Sequence, residues 1–471
     1  MKRLLTLLLF LIACAPLHGQ TVLTGTSWDG EIRISGVELK IAVTFHAPAD
    51  TPAASIDIPQ QAAMGLPLIN VVQRLPRVHF ELQAAPGMAY FEGTLQADSI
   101  TGIFVQAGQG GTFFLRFRRP GEADGAKEEP VPYHQEEVRF KNDTVTLAGT
   151  LTLPPASGKH PAVVMITGSG GQNRDEELFG FKPFKLIADA LTRRGVAVLR
   201  YDDRGIGGSS AGPADVTTED FAKDAQCAVQ YLRTRNDIDP AQIGLCGHSE
   251  GAVAATIGAD RAQDIAFQVL LAGPGVPGDT LILWQLVTLG RAGGASEKDL
   301  VDAVALQHRI YDAVRTGRGW EDVRASLIER IGRSMHDLSP ERRKALGDSA
   351  KFVAATVDAK LAPARSSWFA FLISYDPAPT LRRTRCPVLA LYGALDLQVP
   401  PGVNLKPLES ALREGGNNDV TVRVLPGANH LFQAATTGHP SEYAQLKKEF
   451  VPGFLDTLTA WVTRHVTTAK Q

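Results

Sequence analysis

Cysteine is scarce in this chain, and its spacing argues against two common kinds of stabilising site. Four cysteines occur among 471 residues, namely Cys14, Cys227, Cys246 and Cys386, and no two are separated by only two residues. Setting Cys14 aside as part of an N-terminal leader leaves an odd number, all within apolar patterns. We therefore expect neither a disulfide framework nor a cysteine zinc site, and we interpret the three as small hydrophobic core residues.

An excess of charge of one sign is also missing. The chain has 48 lysines and arginines against 50 aspartates and glutamates, and no long basic or acidic run. Proteins that bind nucleic acid usually carry a strongly basic face, so we expect no nucleic-acid partner. With 44% hydrophobic and 21% charged residues, the composition is that of a globular protein, and the length predicts two or three domains.

Long hydrophobic runs are confined to the N-terminus. In MKRLLTLLLFLIAC, Lys2 and Arg3 precede an apolar run that is too short to span a bilayer. This pattern predicts a signal peptide over residues 1–19 and export to the periplasm or the extracellular space. Two processing routes remain open: Cys14 fits a lipobox and would become a lipidated membrane tether, whereas an ordinary cut near Gly19 would discard it.

Residues 20–120 show the two-residue alternation that is typical of half-buried β-strands. Apolar residues occupy every second position in Val37–Phe45, and the alternation recurs around Phe80 and Leu115. We predict an all-β domain there, either a small barrel or a sandwich. Its role stays open among carbohydrate binding, covering the mouth of an active site and formation of a homodimer.

The polar, proline-containing stretch 121–135 is the predicted linker to a second domain over residues 136–471. In that domain, short β-rich apolar runs alternate with helical patterns, which indicates a mainly parallel α/β sheet with helices on both faces. Residues 276–385 interrupt the alternation with helical periodicity, and we predict that they form a cap over the sheet. Functional residues of such sheets gather at the carboxyl ends of the strands.

Ser249 is the candidate nucleophile. It is the centre of Gly-His-Ser-Glu-Gly (residues 247–251), between a strand-type apolar run and a helix start rich in small residues. A strand-turn-helix of this kind holds a serine hydroxyl out of the sheet, and the flanking glycines allow close backbone approach. The helix N-terminus also favours developing negative charge. The alternative interpretation is an ordinary helix N-cap serine.

Asp396 and His430 are the candidates for the orienting acid and the general base. Each follows a predicted buried strand, VLALYG for Asp396 and VRVLPG for His430, in the order Ser, Asp, His. Taken singly, each also fits a turn or a surface loop. The other histidines lie in the β region, near the linker or in the cap, and only His248 and His439 are nearby rivals. We expect His248 to point away from the Ser249 face of the turn.

Backbone N–H groups are the candidate oxyanion donors. Glu250, which follows the nucleophile, supplies one. The glycine-rich loop GSGGQNRDE (residues 168–176) supplies the second, which we assign to Ser169, with Gly170 close by. A phosphate-binding loop is disfavoured because the lysine that it requires is missing from this loop.

Five motifs together resemble those of an α/β-hydrolase of the serine esterase type. They are ITGSGGQNRDE, RYDDRGIGGSS, GHSEG, GALDLQVP and ANHLFQAATTG. The resemblance covers residues 136–471, and more weakly the N-terminal half, as in secreted bacterial carboxylesterases that carry an N-terminal β domain. It implies an α/β-hydrolase fold with an inserted helical cap and the triad Ser249, Asp396 and His430.

The resemblance is incomplete near the candidate acid. Charged residues often stand in those relatives where this chain has Ala394 and Leu395, which puts the local support of Asp396 in question. The aspartates and the arginine of the DDRG motif, Asp202, Asp203 and Arg204, are expected to form structural hydrogen bonds or ion pairs rather than to act in catalysis.

The predicted activity is hydrolysis of a small-molecule carboxylic ester, of short or small acyl chain, through an acyl-enzyme, with no cofactor and no metal. Because the base must be neutral, activity is expected to rise through roughly pH 6–7.5. A substrate pocket is predicted at Gly170, Trp368, Phe369 and Phe371, although the aromatic cluster fits ordinary helix packing equally well.

Two other functions fit parts of the sequence. A serine peptidase of the prolyl-oligopeptidase clan shares the triad, but the β region here is too short for the propeller of those enzymes. A catalytically silent binding protein on the same fold is the other alternative, and a complete triad argues against it.

Overall fold

The computed structural model describes most of the chain. It covers residues 23–468 except 35–36, 47–53, 59–62, 85–86, 107–108, 119–129, 214, 263, 337–352, 355–356 and 359. The predicted signal peptide, with Cys14 and Gly19, lies outside the described residues, as does most of the predicted linker. Within the described ranges, no helix is long and apolar enough to cross a membrane.

The N-terminal region is a closed antiparallel barrel of eight strands, which decides between the two β architectures predicted from the sequence. Alternating apolar side chains fill its interior, because one face of each strand is removed from water. Phe80 stacks on Phe91 at 4.7 Å between ring centroids, and Trp28 is fully buried. The strands are β1 (Thr26–Ile34), β2 (Val37–Phe45), β3 (Ala54–Ile58), β4 (Ala63–Arg74), β5 (Arg77–Ala84), β6 (Gly87–Gln96), β7 (Ser99–Gln106) and β8 (Gln109–Arg118).

The C-terminal region is built on one eight-stranded sheet. Its strands are β9 (His134–Asn142), β10 (Val145–Leu153), β11 (His160–Ile166), β12 (Ala197–Tyr201), β13 (Ile238–His248), β14 (Gln268–Leu271), β15 (Val388–Gly393) and β16 (Val420–Leu425). They lie in the order β16-β15-β14-β13-β11-β12-β10-β9, and β11 to β16 run parallel. The segments that follow β13, β15 and β16 therefore emerge at the same edge of the sheet.

Helices cover both faces of this sheet and fill the long connection between β14 and β15. They are α1 (Pro183–Thr192), α2 (Thr218–Arg233), α3 (Glu250–Ala262), α4 (Gly278–Ala292), α5 (Glu297–Thr316), α6 (Trp320–His336), α7 (Ser367–Ser374), α8 (Ala378–Arg383), α9 (Pro401–Glu414) and α10 (Phe454–Thr468). Helices α5 and α6 share a small core of their own, which includes Leu306 and Val323. Helix α8 instead contacts α3 and α9, so the last part of the predicted cap packs with the main helix layer.

The three cysteines of the described region carry free thiols. Cys246 is buried in strand β13, as expected for a core residue, whereas Cys227 and Cys386 are only half-buried. The expectation of a buried core residue is therefore wrong for these two; Cys227 packs against the core from its border.

Candidate active site

Ser249 occupies a strained turn between β13 and α3. Its φ angle is 53°, in the left-handed region that a residue with a side chain rarely adopts. The turn is held by a hydrogen bond of 2.8 Å from the Ser249 N–H to the Leu271 carbonyl, and by one of 3.0 Å from Ala252 N–H to the Ser249 carbonyl. The half-buried hydroxyl is thereby presented at the end of the strand.

The two glycines that flank this turn are required by contact with backbone. A Cβ atom at Gly247 would lie 2.0 Å from the carbonyl oxygen of Gly251, and one at Gly251 would lie 2.2 Å from that of Ile166. Both distances are far below van der Waals contact. The Gly-x-Ser-x-Gly pattern is thus explained by the crossing of α3 over the ends of β11 and β13.

Asp396 and His430 form a buried pair beside this turn. The Nδ1 atom of His430 lies 2.8 Å from Oδ2 of Asp396. The other carboxylate oxygen, Oδ1, accepts hydrogen bonds of 2.8 Å from the backbone N–H groups of Gln398 and Val399. Burial raises the pKa of Asp396, but the His430 charge and these hydrogen bonds outweigh it and hold the pKa below its usual value.

The ionised carboxylate therefore fixes the tautomer of the histidine. With the proton on Nδ1 facing Asp396, a neutral His430 carries its lone pair on Nε2, which makes that atom the base. Among the hydrogen bonds of the described residues, none joins the Ser249 hydroxyl to His430. The rings of His248, adjacent to Ser249, and His430 are 4.6 Å apart between centroids, so the two segments meet.

The loop that carries His430 is held in place by hydrogen bonds to Asn429 and by close packing on Gly393. The side-chain oxygen of Asn429, which is fully buried, accepts hydrogen bonds of 3.0 Å from Leu431 N–H and 2.9 Å from Gln433 N–H. Gly393, at the end of β15, lies directly beneath this loop, and a Cβ there would be 2.3 Å from the Asn429 carbonyl oxygen. Close approach at Gly393 brings His430 over the strand that precedes Asp396.

The loop of residues 168–176 is anchored by the buried carboxyl side chains of Asp202 and Asp203. Asp203 accepts hydrogen bonds from the Thr167 hydroxyl at 2.8 Å and from Gln172 N–H at 2.9 Å. Asp202 accepts from the backbone and the guanidinium of Arg174, at 2.8 to 3.1 Å. Burial raises the pKa of Asp203 to about 8. These aspartates position the loop rather than the reacting atoms.

The predicted oxyanion donors come from the start of α3 and from the loop of residues 168–176, which begins beside the turn: a Cβ at Gly168 would lie 3.5 Å from the His248 carbonyl oxygen. As the first residue of α3, Glu250 has a backbone N–H without an acceptor in its own helix. Ser169 and Gly170 are exposed on this loop, and Gly170 has a φ of 92° that suits glycine. Glu250 directly follows Ser249, and the choice of Ser169 as the second donor stays a prediction.

Comparison with known proteins identifies the family. The family model described as "Alpha/beta hydrolase family" matches residues 163–446. The chain belongs to the alpha/beta hydrolase family. It is 28% identical over 344 residues to esterase EstD of Thermotoga maritima, across 72% of this chain and 71% of that protein.

Two further similarities are more limited. The hydrolase is 31% identical over 147 residues to thiohydrolase apmlB of Arthrinium phaeospermum, across 30% of this chain and 44% of that one. Among solved structures, it is similar to the alpha/beta hydrolase GrgF of Penicillium sp. sh18, with 16% identity and a TM-score of 0.43, over 71% of this chain and 98% of that chain.

The cap of the hydrolase reaches the turn through Trp368. Its indole Nε1–H donates a hydrogen bond of 2.7 Å to Oε1 of Glu250, which also accepts one of 2.6 Å from the Thr218 hydroxyl. Within the described chain, Oε2 of Glu250 is buried without a hydrogen-bond partner. Sequence reasoning assigned Glu250 only its backbone N–H and missed its side chain, which no motif distinguishes.

The other two aromatic residues of the predicted pocket, Phe369 and Phe371, have different surroundings. Phe369 lies 6.4 Å from Trp368 and 6.3 Å from Tyr311 between ring centroids, within the cap. Phe371 stacks on Tyr375 and packs against the core of the main sheet. The structure thus brings Trp368 next to Glu250, and places the partly buried Phe371 against the core of the main sheet.

The two other candidate histidines, His248 and His439, make hydrogen bonds to groups other than Ser249 and Asp396. His439 bonds Ser441 at 2.7 Å in an exposed loop. His248 is buried, with Nδ1 at 2.8 Å from Glu176 and Nε2 at 3.0 Å from the His430 carbonyl oxygen. The pair of Glu176 and His248 was not found by sequence reasoning. Over the described residues, no group of three or more His, Cys, Asp or Glu side chains is placed to hold a metal ion.

Proposed function

We propose that this hydrolase is a serine carboxylesterase that cleaves esters of small acyl groups through an acyl-enzyme on Ser249. The observation that carries the proposal is the buried His430–Asp396 pair, with 2.8 Å between Nδ1 and Oδ2, beside a serine held at a φ of 53°. The similarity to a protein named esterase EstD supports the choice of an ester as substrate.

The proposed acylation follows from these positions. Nε2 of His430 takes the hydroxyl proton of Ser249 as Oγ attacks the ester carbonyl carbon. The carbonyl oxygen becomes an oxyanion that accepts hydrogen bonds from the backbone N–H groups of Glu250 and Ser169. When the tetrahedral intermediate collapses, the bond to the alcohol oxygen breaks and His430 returns the proton to that alcohol.

Deacylation repeats the route with water as the nucleophile. His430 takes a proton from water, the hydroxide attacks the acyl carbon, and the proton passes to Oγ of Ser249 as the acid leaves. Asp396 stays ionised throughout, since its pKa is held below the usual value. Its role is to stabilise the imidazolium that forms in each step.

The aromatic residues of the cap support a small, apolar acyl pocket. Trp368 lies against Glu250, which places its indole ring beside the proposed oxyanion donor. Phe369 follows it on α7 and is half-buried. An apolar wall close to the reacting carbon favours apolar acyl groups over charged ones.

The test is hydrolysis of p-nitrophenyl acetate, butyrate and octanoate by the wild type and by Ser249→Ala. We expect the variant to lose turnover while its melting temperature stays within a few degrees, because the substitution removes only a half-buried hydroxyl. Ser157→Ala, in an exposed turn, is the matched control and should behave as the wild type. Turnover by Ser249→Ala at the wild-type rate would place the nucleophile elsewhere.

The same preparation separates the alternatives. An aminoacyl-proline amide that is cleaved faster than the aryl esters would favour a peptidase. A wild-type protein that hydrolyses no ester and is not labelled by a fluorophosphonate would favour a catalytically silent binding protein.

We also propose that the chain is exported, on the basis of the basic and then apolar pattern of residues 1–19. Fractionation of expressing cells and mass analysis of the mature N-terminus test this. A lipidated N-terminus at Cys14 supports a membrane tether, and an N-terminus near Gly19 supports release. A full-length precursor that remains in the cytosol contradicts export.

A further inference from the structure

A second buried pair, Glu176 and His248, lies beneath the proposed triad and connects three separate segments. His248 is the last residue of β13, directly before Ser249, and its Nδ1 lies 2.8 Å from Oε1 of Glu176. Its Nε2 lies 3.0 Å from the carbonyl oxygen of His430. Oε1 of Glu176 also accepts a hydrogen bond of 2.7 Å from Gly168 N–H, at the start of the proposed oxyanion loop. Glu176 and His248 are each only 5% exposed.

The partners of His248 decide its protonation state. One ring nitrogen faces a carboxylate and the other faces a carbonyl, and neither of these groups donates a hydrogen bond when the carboxylate is ionised. A neutral imidazole has a single N–H and could make only one of the two contacts. The imidazolium form satisfies both, and Glu176 supplies the compensating charge.

The charge environment agrees with this assignment. Burial lowers the pKa of His248, but the Glu176 charge and the hydrogen bonds to Glu176 and to the His430 carbonyl outweigh it, so that the pKa lies above its usual value. Asp396 contributes in the same direction. Two other titratable groups interact with Glu176: Asp203, whose pKa is raised to about 8 chiefly by burial and in part by the Glu176 charge, and the buried thiol of Cys246. The other side chains around the pair, from α1, β14, the His430 loop and the segment that leads into α10, are apolar and include Phe184, Leu271, Phe432 and Phe454.

If Glu176 or His248 loses a hydrogen-bond partner, water cannot readily take its place. The space between His248 and its apolar neighbours measures only about 10 Å³, which is at the lower limit for a single water molecule. A buried polar atom that loses its hydrogen bond there keeps its desolvation cost. The hydrogen bond to the His430 carbonyl therefore depends on the proton of His248.

We propose that the imidazolium of His248, paired with Glu176, is a positioning element. It holds the His430 loop and the loop of residues 168–176 in the positions beside Ser249 that acyl transfer requires. This inference rests on the proposed esterase function. In this account the enzyme needs His430 neutral and His248 protonated. Activity then falls on the alkaline side as His248 loses its proton and releases the carbonyl of His430.

The test is the pH dependence of kcat and KM for p-nitrophenyl butyrate in the wild type, Glu176→Gln and Glu176→Asp, each also measured in the Asp203→Asn background because Asp203 titrates at about pH 8 and interacts with Glu176. The Glu176→Gln variant keeps the shape of the side chain and can still accept from Gly168, but it removes the charge that retains the proton on His248. We expect its kcat at pH 8 to fall by about tenfold or more with little change in KM, and its alkaline limb to move to lower pH by about one unit.

The Glu176→Asp variant is the matched control for charge. It keeps the carboxylate, and aspartate tolerates the φ of 50° at this position. Its alkaline limb should therefore stay near that of the wild type.

A purely structural pair would give a different result. Glu176→Gln would then reduce kcat by the same factor at every pH, without moving the alkaline limb, and this outcome overturns the proposal. A wild-type protein without esterase activity would instead contradict the proposed function on which the inference rests.

If Glu176→Gln does not fold, His248→Gln provides the second test, because it leaves Glu176 bound to Gly168. In the Asp203→Asn background we expect a low kcat at all pH values and no alkaline limb, since both groups that titrate there are gone. A His248→Gln, Asp203→Asn enzyme that keeps the alkaline limb of Asp203→Asn overturns the proposal.

Discussion

The indole of Trp368 donates a hydrogen bond of 2.7 Å to the carboxylate of Glu250, the residue that follows Ser249. The two residues are 118 positions apart, one on the cap helix α7 and one at the start of α3. The same oxygen accepts from Thr218 at the start of α2. The cap is thus attached directly to the turn that carries the proposed nucleophile.

Trp368→Phe should therefore impair catalysis as well as cap stability. The variant leaves the buried Glu250 carboxylate with one fewer donor, which costs about 1–3 kcal/mol, and we expect kcat/KM for short esters to fall by about tenfold. Trp320→Phe is the control, because Trp320 lies under Arg365 within the cap. Equal kcat/KM values for the two variants would contradict a link between cap and turn.

Asp396→Asn tests the orientation of the base. An asparagine oxygen can still accept from Gln398 and Val399, but its NH₂ group would face Nδ1 of His430 and favour the wrong tautomer. We expect kcat to fall on the order of 10⁴-fold while the melting temperature changes little. The exposed Asp376→Asn is the control. A loss of less than about tenfold would argue that another acid orients His430.

Gly251→Ala tests the packing of the turn. The added Cβ would meet the Ile166 carbonyl oxygen at 2.2 Å, and we expect the free energy of unfolding to fall by about 3 kcal/mol or more. Gly402→Ala, in helix α9, meets no atom within 4 Å and should be neutral or slightly stabilising. Chemical denaturation of both variants measures the difference, and equal stabilities would contradict the close contact.

Asp203→Asn tests the buried carboxyl beneath the loop of residues 168–176. The pKa of Asp203 is about 8 in the folded protein and 3.8 as the reference for the unfolded chain. Between these values the folded state keeps the proton and the unfolded state releases it. This group therefore lowers the stability of the wild type by about 1.4 kcal/mol per pH unit as pH rises.

An asparagine at this position has no such proton. The stability of Asp203→Asn relative to the wild type should increase steadily as the pH is raised from about 4 to about 8. Urea unfolding across that range measures the difference. A constant difference in stability between the two proteins would show that Asp203 is already ionised in the folded state.

The sequence predicted those features that depend on local pattern and chain order. Ser249, Asp396 and His430 each follow a strand with a recognisable apolar run, and parallel strands bring such positions to one edge of the sheet. The alternating strands of the N-terminal region were equally recognisable. The closure of these strands into a barrel could not be predicted, because it depends on the pairing of β1 with β8, which no local pattern encodes.

The sequence could not predict contacts between single polar residues far apart in the chain. Glu176 lies among other acidic residues, and nothing in that stretch marks it as the partner of His248, 72 residues later. The hydrogen bond between Trp368 and Glu250 depends on how the cap docks. Such pairs become visible only when burial and distance are known.

The most direct test of the central claim is the identity of the residue that becomes acylated. Wild-type protein quenched in acid during turnover of p-nitrophenyl acetate, then digested and mapped by mass spectrometry, should carry one acetyl group on Ser249. The adduct should be lost in Ser249→Ala and strongly reduced in His430→Ala. An acetyl group on another residue, formed at the rate of turnover and still present in Ser249→Ala, would contradict the account.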